Sequence, residues 1–174
     1  MEPWPDEARV HEELAAAKAL VFDPCGFACS LPVPEPEGAA YAAHALAVDG
    51  RTVRFRAART TPAKAGQFVT VWQRSSGGPI RPFDVTDGVD LFVIATRGDH
   101  HAGQFVFPVD ALRRRGVVSA GGAEGKRGFR VYPPWVAATS RQAARTQAWQ
   151  VEHHLSLDAD SPLDTAHARR LYRS

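Results

Sequence analysis

Cysteine is almost missing from this 174-residue chain, which has only Cys25 and Cys29. A single C-x3-C, without a second pair or histidines at matching distance, lacks the ligand set of a zinc site. The two thiols read as small, partly buried side chains. A disulfide framework is not needed either, because a chain this long buries roughly 70% of its unfolded surface. No apolar run approaches the roughly 18 residues of a membrane span. No basic segment leads into an apolar one, as a secretion signal would require. These absences lead us to expect a cytoplasmic protein. An excess of either charge is also missing: the net charge is +2, with 44% apolar and 23% charged residues. That composition is ordinary for one globular domain.

The charge that is present is unevenly placed. Residues 1–37 hold eight acids and two bases, and the remainder holds eleven acids and nineteen bases. An acidic arm on a cationic body suits an anionic partner. We expect residues 1–37 to form an acidic helix and a Pro-rich connector packed on the domain. Residues 38–155 should form the core domain, and residues 156–174 a polar, loosely docked tail.

Val10, Leu14, Ala17 and Val21 make one apolar stripe, which predicts a helix over 6–22. Asp6 and Glu7 suit its start, and Asp23-Pro24 should end it. Pro32, Pro34 and Pro36 predict extended chain over 30–38. Asp49-Gly50 is a hairpin signal between strands at 41–48 and 51–59. In the second strand Val53, Phe55 and Ala57 share one face, and Arg54 and Arg56 share the other. A strand is predicted over 67–74, with Phe68, Thr70, Trp72 and Arg74 on one side. Residues 90–96 are apolar on both faces, the mark of a covered central strand. His100-His101 follow in a loop and read mainly as solvated, with metal binding or base chemistry the alternative. A strand at 104–107 leads into a short helix at 108–115, whose Arg113-Arg114-Arg115 suits its negative end. After a strand at 129–132, the last helix starts at Thr139 or Ser140 and runs to about Leu155. Its predicted buried stripe is Ala144, Ala148, Val151 and Leu155. Gln142, Thr146, Trp149, Gln150 and His153 form a second, polar arc. That arc suits either a ligand groove or amides buried against strand edges.

Several motifs occur in order: RTVRFRAARTTPAKAGQFVTVWQR, GPIRPFD, DLFVI, GQFVFP, GKRGFRVYPPW and QAARTQAWQ. Together they resemble the MepB family of small bacterial proteins over about residues 37–155. The resemblance implies an α+β (α/β-like) domain, a mixed sheet flanked by helices, similar to the restriction-endonuclease core.

Nuclease chemistry on such a core needs an acid on one central strand and an acid-x-Lys pair on the next. Two carboxylates then hold Mg2+, and the lysine positions water. Asp90 is a weak candidate for the first acid. The next strand offers Gln104-Phe105-Val106, so the Mg2+ site is incomplete and no metal or cofactor is expected. What remains is binding. Arg54, Arg56, Lys64, Arg74, Lys126, Arg127 and Arg130 supply cations. Gln67, Gln104, Gln147 and Gln150 supply amides, and Trp72, Tyr132, Trp135 and Trp149 supply flat surfaces. This inventory suits phosphates with stacked bases. The leading expectation is a nucleic-acid-binding protein, for DNA or RNA, with a degenerate nuclease-like fold. The alternatives are a pocket for a nucleotide or similar anion, and an active Mg2+-dependent nuclease.

Overall fold

His11 caps the first helix, its Nδ1 accepting the Glu13 amide at 3.1 Å. The computed structural model describes residue 4 and residues 10–74, 78–121 and 124–174. Helix α1 (Glu12–Ala17) therefore begins after Val10, later than the apolar spacing predicts. The expected first turn, with Asp6 and Glu7, lies outside the described residues. The helix also ends later. A π turn (Lys18–Phe22) carries it into α2 (Asp23–Cys25), with Asp23 helical (φ −65°, ψ −50°) ahead of Pro24. A residue before proline is disfavoured in the α region, not barred from it. Here burial of Val21, Phe22 and Cys25 holds the extra turn in place. Gly26, left-handed at φ 72°, ends it.

The connector is only partly extended. After β1 (Val33–Pro34), a 3-10 turn spans Pro36–Tyr41. Pro36 occupies its first turn, where a missing N–H costs nothing. Strands β2 (His44–Val48) and β3 (Arg51–Ala57) follow as the expected hairpin. Asp49 and Gly50 at its turn have φ of 50° and 81°, the left-handed pair that such a turn requires. The predicted strand at 67–74 splits. β4 (Arg59–Thr60) pairs with β5 (Gln67–Thr70), while β6 (Trp72–Arg74) pairs with β7 (Ile80–Pro82). The break falls at Val71, whose buried amide donates to the Arg127 carbonyl at 2.8 Å.

β8 (Leu91–Arg97) and β9 (Ala102–Pro108) complete the sheet centre. The six strands order as β1-β2-β3-β8-β9-β11, with β11 at His154–Ser156. β3 and β8 are parallel and the other pairs antiparallel, so the sheet is mixed. Alternation along β8 divides its side chains between two cores. Leu91, Val93 and Ala95 join Leu14, Val21, Phe22 and Tyr172. Phe92 and Ile94 join Val69, Phe83, Leu112 and Val131 on the other face. Helices α1 and α5 (Thr165–Tyr172) cover the first face. The second face carries α3 (Val109–Arg114) and a three-stranded sheet, β10-β5-β4, with β10 at Gly128–Val131. This is an α+β fold with a mixed sheet flanked by helices.

Two C-terminal expectations are corrected. Helix α4 (Arg141–Gln150) stops short, and a 3-10 turn (Val151–His153) leads into β11, so Leu155 is strand and not helix. Ala144 and Ala148 are exposed, whereas Ala143 and Gln150 are buried. Alanine offers little apolar area, while the glutamines gain backbone hydrogen bonds by facing inward. The tail is also docked. Ala168, Leu171 and Tyr172 of α5 are buried, and the Tyr172 hydroxyl donates to the Gln104 carboxamide.

Candidate ligand groove

Ser140 starts α4 by accepting the Ala143 amide on its Oγ at 3.1 Å. The helix is then fixed by its glutamines. Gln150 accepts the Tyr132 amide at 2.8 Å and donates to the Arg130 carbonyl at 2.9 Å. It thereby serves the edge of β10 that faces away from β5. Gln147 donates to the carbonyls of Pro133 and Val136 at 2.9 and 2.8 Å. The buried-amide reading of the polar arc therefore holds for Gln150, and Gln147, outside that arc, is used in the same way.

Gln142, Thr146 and Trp149 of the arc line a groove. A cavity of about 290 Å3 lies among Lys126, Arg130, Tyr132, Gln142, Thr146 and Trp149, and Gln150 closes its floor. No acid lines it. The Trp149 indole packs on Phe107 with ring centroids 5.4 Å apart. The Arg115 guanidinium lies 4.9 Å from the indole centroid, within cation–π range. Asp110 forms ion pairs with Arg113 and Arg114 at 2.6 and 2.8 Å. The Arg113 hydrogen bond, followed by the charges of both arginines, lowers its pKa, so it stays ionised. Arg115 is the residue of the run left over for the indole. Lys126 and Arg127 are exposed and have no ion pair with a described residue. Arg145, also exposed, precedes Trp149 by one turn on the same helix. Next to the indole, burial lowers the His153 pKa, so this ring is neutral at pH 7.

Of the residues singled out in the sequence, Lys126, Arg130, Tyr132, Gln142, Thr146, Trp149 and Gln150 thus come together. Arg130 is partly committed, donating to the Ala65 and Gly66 carbonyls and to Thr61 Oγ1. The other residues are dispersed. Arg56 is 1% exposed and pairs with Glu35 at 2.7 Å, and Arg54 approaches the same carboxylate at 3.8 Å. Arg74 faces Glu37 at 3.8 Å, and the Trp72 carbonyl accepts from Arg56 at 3.5 Å. Gln67 bridges β5 to β8, donating to Thr60 Oγ1 and the Arg97 carbonyl at 3.1 and 3.0 Å. Gln104 lies in the opposite core beside Tyr172. Lys64 is exposed in the turn after β4. Arg115 was missed as a site residue because its run has a sufficient explanation as a helix end. The available signal was that Asp110 can reach only the residues three and four positions on.

Asp90 does not meet the other nuclease candidates. Its carboxylate accepts the Thr52 amide at 2.8 Å, which caps the entry of β8 beside β3. Gln104 pairs with Ala95, five residues further along β8, or about 16 Å at roughly 3.3 Å per residue. Among the described residues, no group of three or more His, Cys, Asp or Glu side chains could hold a metal ion. The donor set around Asp90 does not fit Mg2+, which needs at least a second hard oxygen ligand. No helix among the described residues is long and apolar enough to cross a membrane.

Comparison with curated proteins gives no match. Among solved structures, the crystal structure of MepB is similar, with a TM-score of 0.71 and 29% sequence identity. The similarity covers 74% of this chain and 87% of that one. A family model described as MepB-like matches residues 35–156. That span holds five of the six strands of the mixed sheet, the α4 groove and every motif on which the resemblance rested, and the protein belongs to the MepB-like family.

Proposed function

We propose that this protein binds single-stranded nucleic acid along the groove between β10 and α4. The observation that carries the reading is that Trp149, with the Arg115 guanidinium 4.9 Å from its ring, and Lys126 line one groove, with no acid among its described lining residues. Arg127, exposed next to Lys126 in the chain, and Arg145, exposed one turn before Trp149 on α4, add to the cations near it. Bases stack on indole and guanidinium planes, and cations track the phosphates. A duplex would not present its bases to a groove of this size, so the single strand is the favoured form.

The likeness to a restriction-endonuclease core belongs to the same proposal. A mixed sheet covered by helices on both faces supports it. Gln104 in place of the acid of an acid-x-Lys pair, and Asp90 used as a strand cap, support the degenerate form over a cutting enzyme. A nucleic-acid ligand also supports a cytoplasmic location.

The test is fluorescence anisotropy with a labelled oligonucleotide of about 12 nucleotides, within the range such grooves cover. Binding should be strong at low salt and fall steeply as salt rises. It should be lost in Trp149→Ala and Lys126→Glu. No binding of DNA or RNA at low salt would sink the proposal. The groove volume of about 290 Å3 also matches one nucleotide. If a mononucleotide raises Tm while oligonucleotides do not bind, the single-nucleotide pocket replaces the strand groove.

A further inference from the structure

A cavity of about 560 Å3 lies elsewhere, between the β8–β9 hairpin and the segment after β11. Its lining includes Leu20, Leu157 and Leu163 on the apolar side and Arg97, Asp99, His100, His101 and Asp158 on the polar side. Leu20 is 47% exposed, so this wall presents aliphatic surface to solvent.

His101 is held there from two directions. Its Nδ1 lies 3.2 Å from Asp158 Oδ2, while Asp158 Oδ1 accepts the Ala102 amide at 2.9 Å. Its ring stacks on Trp135, with centroids 5.0 Å apart and planes 10° apart. Trp135 is itself seated on the hairpin, since a Cβ at Gly98 would meet its Nε1 at 2.8 Å. The Ala102 amide bond, followed by the His101 bond, lowers the Asp158 pKa. An ionised carboxylate only accepts, so Nδ1 carries the hydrogen. In the neutral imidazole, Nε2 is then a lone pair with no described partner. This is the way a carboxylate fixes an imidazole tautomer and orientation.

We propose that this cavity is a second ligand site, for a small uncharged molecule carrying a hydroxyl on an apolar body, such as a phenol. The hydroxyl donates to His101 Nε2, and the body lies against Leu20, Leu157 and Leu163. A carboxylate or phosphate is disfavoured because Asp99 and Asp158 are both in the lining. The Arg97 guanidinium is already engaged by Glu13, at 2.9 and 3.2 Å.

The experiment is an NMR titration of the full chain with 4-chlorophenol, following the Trp135 indole and His101 imidazole resonances. Saturable shifts at both are expected. 4-Chloroanisole, which cannot donate, and 4-chlorobenzoate, which is anionic, should bind about tenfold more weakly, the scale of one hydrogen bond. His101→Phe keeps a ring on Trp135 but removes the acceptor, and should erase the preference for the phenol. Lys126→Ala should leave it unchanged, which separates this site from the nucleic-acid groove. The proposal is overturned if the phenol and the anisole bind alike, or if His101→Phe keeps the preference. Shifts confined to the Trp149 groove would also overturn it.

Discussion

Arg56 Nη1 lies 2.7 Å from Glu35 Oε1, beneath the chain that enters β2. The guanidinium also donates to the Phe55 carbonyl at 2.9 Å and the Trp72 carbonyl at 3.5 Å. It lies over the Phe83 ring, 5.9 Å from the centroid. A side chain so enclosed cannot neutralise an outside ligand; it ties the connector, β3 and β6 together. Removing only Glu35 leaves a buried charge without its counterion. Glu35→Ala should therefore cost about 3 kcal/mol, while Arg56→Met, which removes the charge itself, should cost less. Urea unfolding of both variants checks the order. Equal losses would show that the arginine is not desolvated as described.

The groove makes a separate, quantitative claim. Each cation that contacts a phosphate of a single strand contributes about 0.7 to the slope of log K against log salt. Lys126→Ala and Arg127→Ala should each lower that slope by about 0.7 without shifting Tm, since both side chains are exposed. Arg54→Ala and Arg74→Ala should leave it unchanged, because those residues face Glu35 and Glu37. Anisotropy titrations at four or five salt concentrations distinguish the two pairs. A slope change in the second pair and none in the first would place the interface on the wrong face.

The core is the part most legible in the sequence. The alternation in β3 puts Val53 and Phe55 on one face, and both lie in one core; the doubly apolar run of β8 marks a strand covered on both faces, and its Phe92 and Ile94 lie in the other core. Those patterns report local period, and burial follows directly from it. The site is less legible because the same residue types serve two purposes. Gln150 and Gln147 satisfy backbone groups of residues 130–136, and Arg56 satisfies Glu35. Each partner is set by tertiary approach and not by spacing. The loose docking expected of the tail understates its burial for the same reason. Leu171 and Tyr172 are two apolar residues at the end of a polar segment, and only contact with β9 and α2 shows what they bury against.

Tyr172 tests that docking. Its hydroxyl is fully buried and donates to Gln104, and its ring packs edge-on to Phe22 with centroids 5.6 Å apart. Burial also raises the phenol pKa well above its ordinary value, so the group stays a neutral donor. Tyr172→Phe keeps the ring but leaves the Gln104 acceptor unpaired in the core. The expected loss is about 1–3 kcal/mol. Tyr172→Ala adds a cavity and should cost about 3–5 kcal/mol. Thermal melting that is unchanged in both variants would mean the C-terminal helix is not part of the cooperative fold.

The response to acid should be set first by His154. Burial lowers its pKa from 6.5 to about 4, against the opposing charge of Asp158. The ring is only 8% exposed and packs edge-on against Phe105 and Trp135. Because the fold prefers the neutral ring, the unfolded chain takes up the proton first. Stability is therefore complete above pH 6.5 and is lost as pH falls from 6.5 towards 4. The slope is at most about 1.4 kcal/mol per unit, or about 3 kcal/mol across the window. His153, also lowered by burial, acts in the same direction. Asp84, held near 2 mainly by its Thr86 hydrogen bonds, contributes only below its ordinary value of 3.8. Urea midpoints should fall through pH 6 and 5, before the carboxylates titrate, and His154→Gln should flatten that limb. A His154 ring that titrates near 6.5 by NMR in the folded protein would remove the cause and, with it, the expected slope.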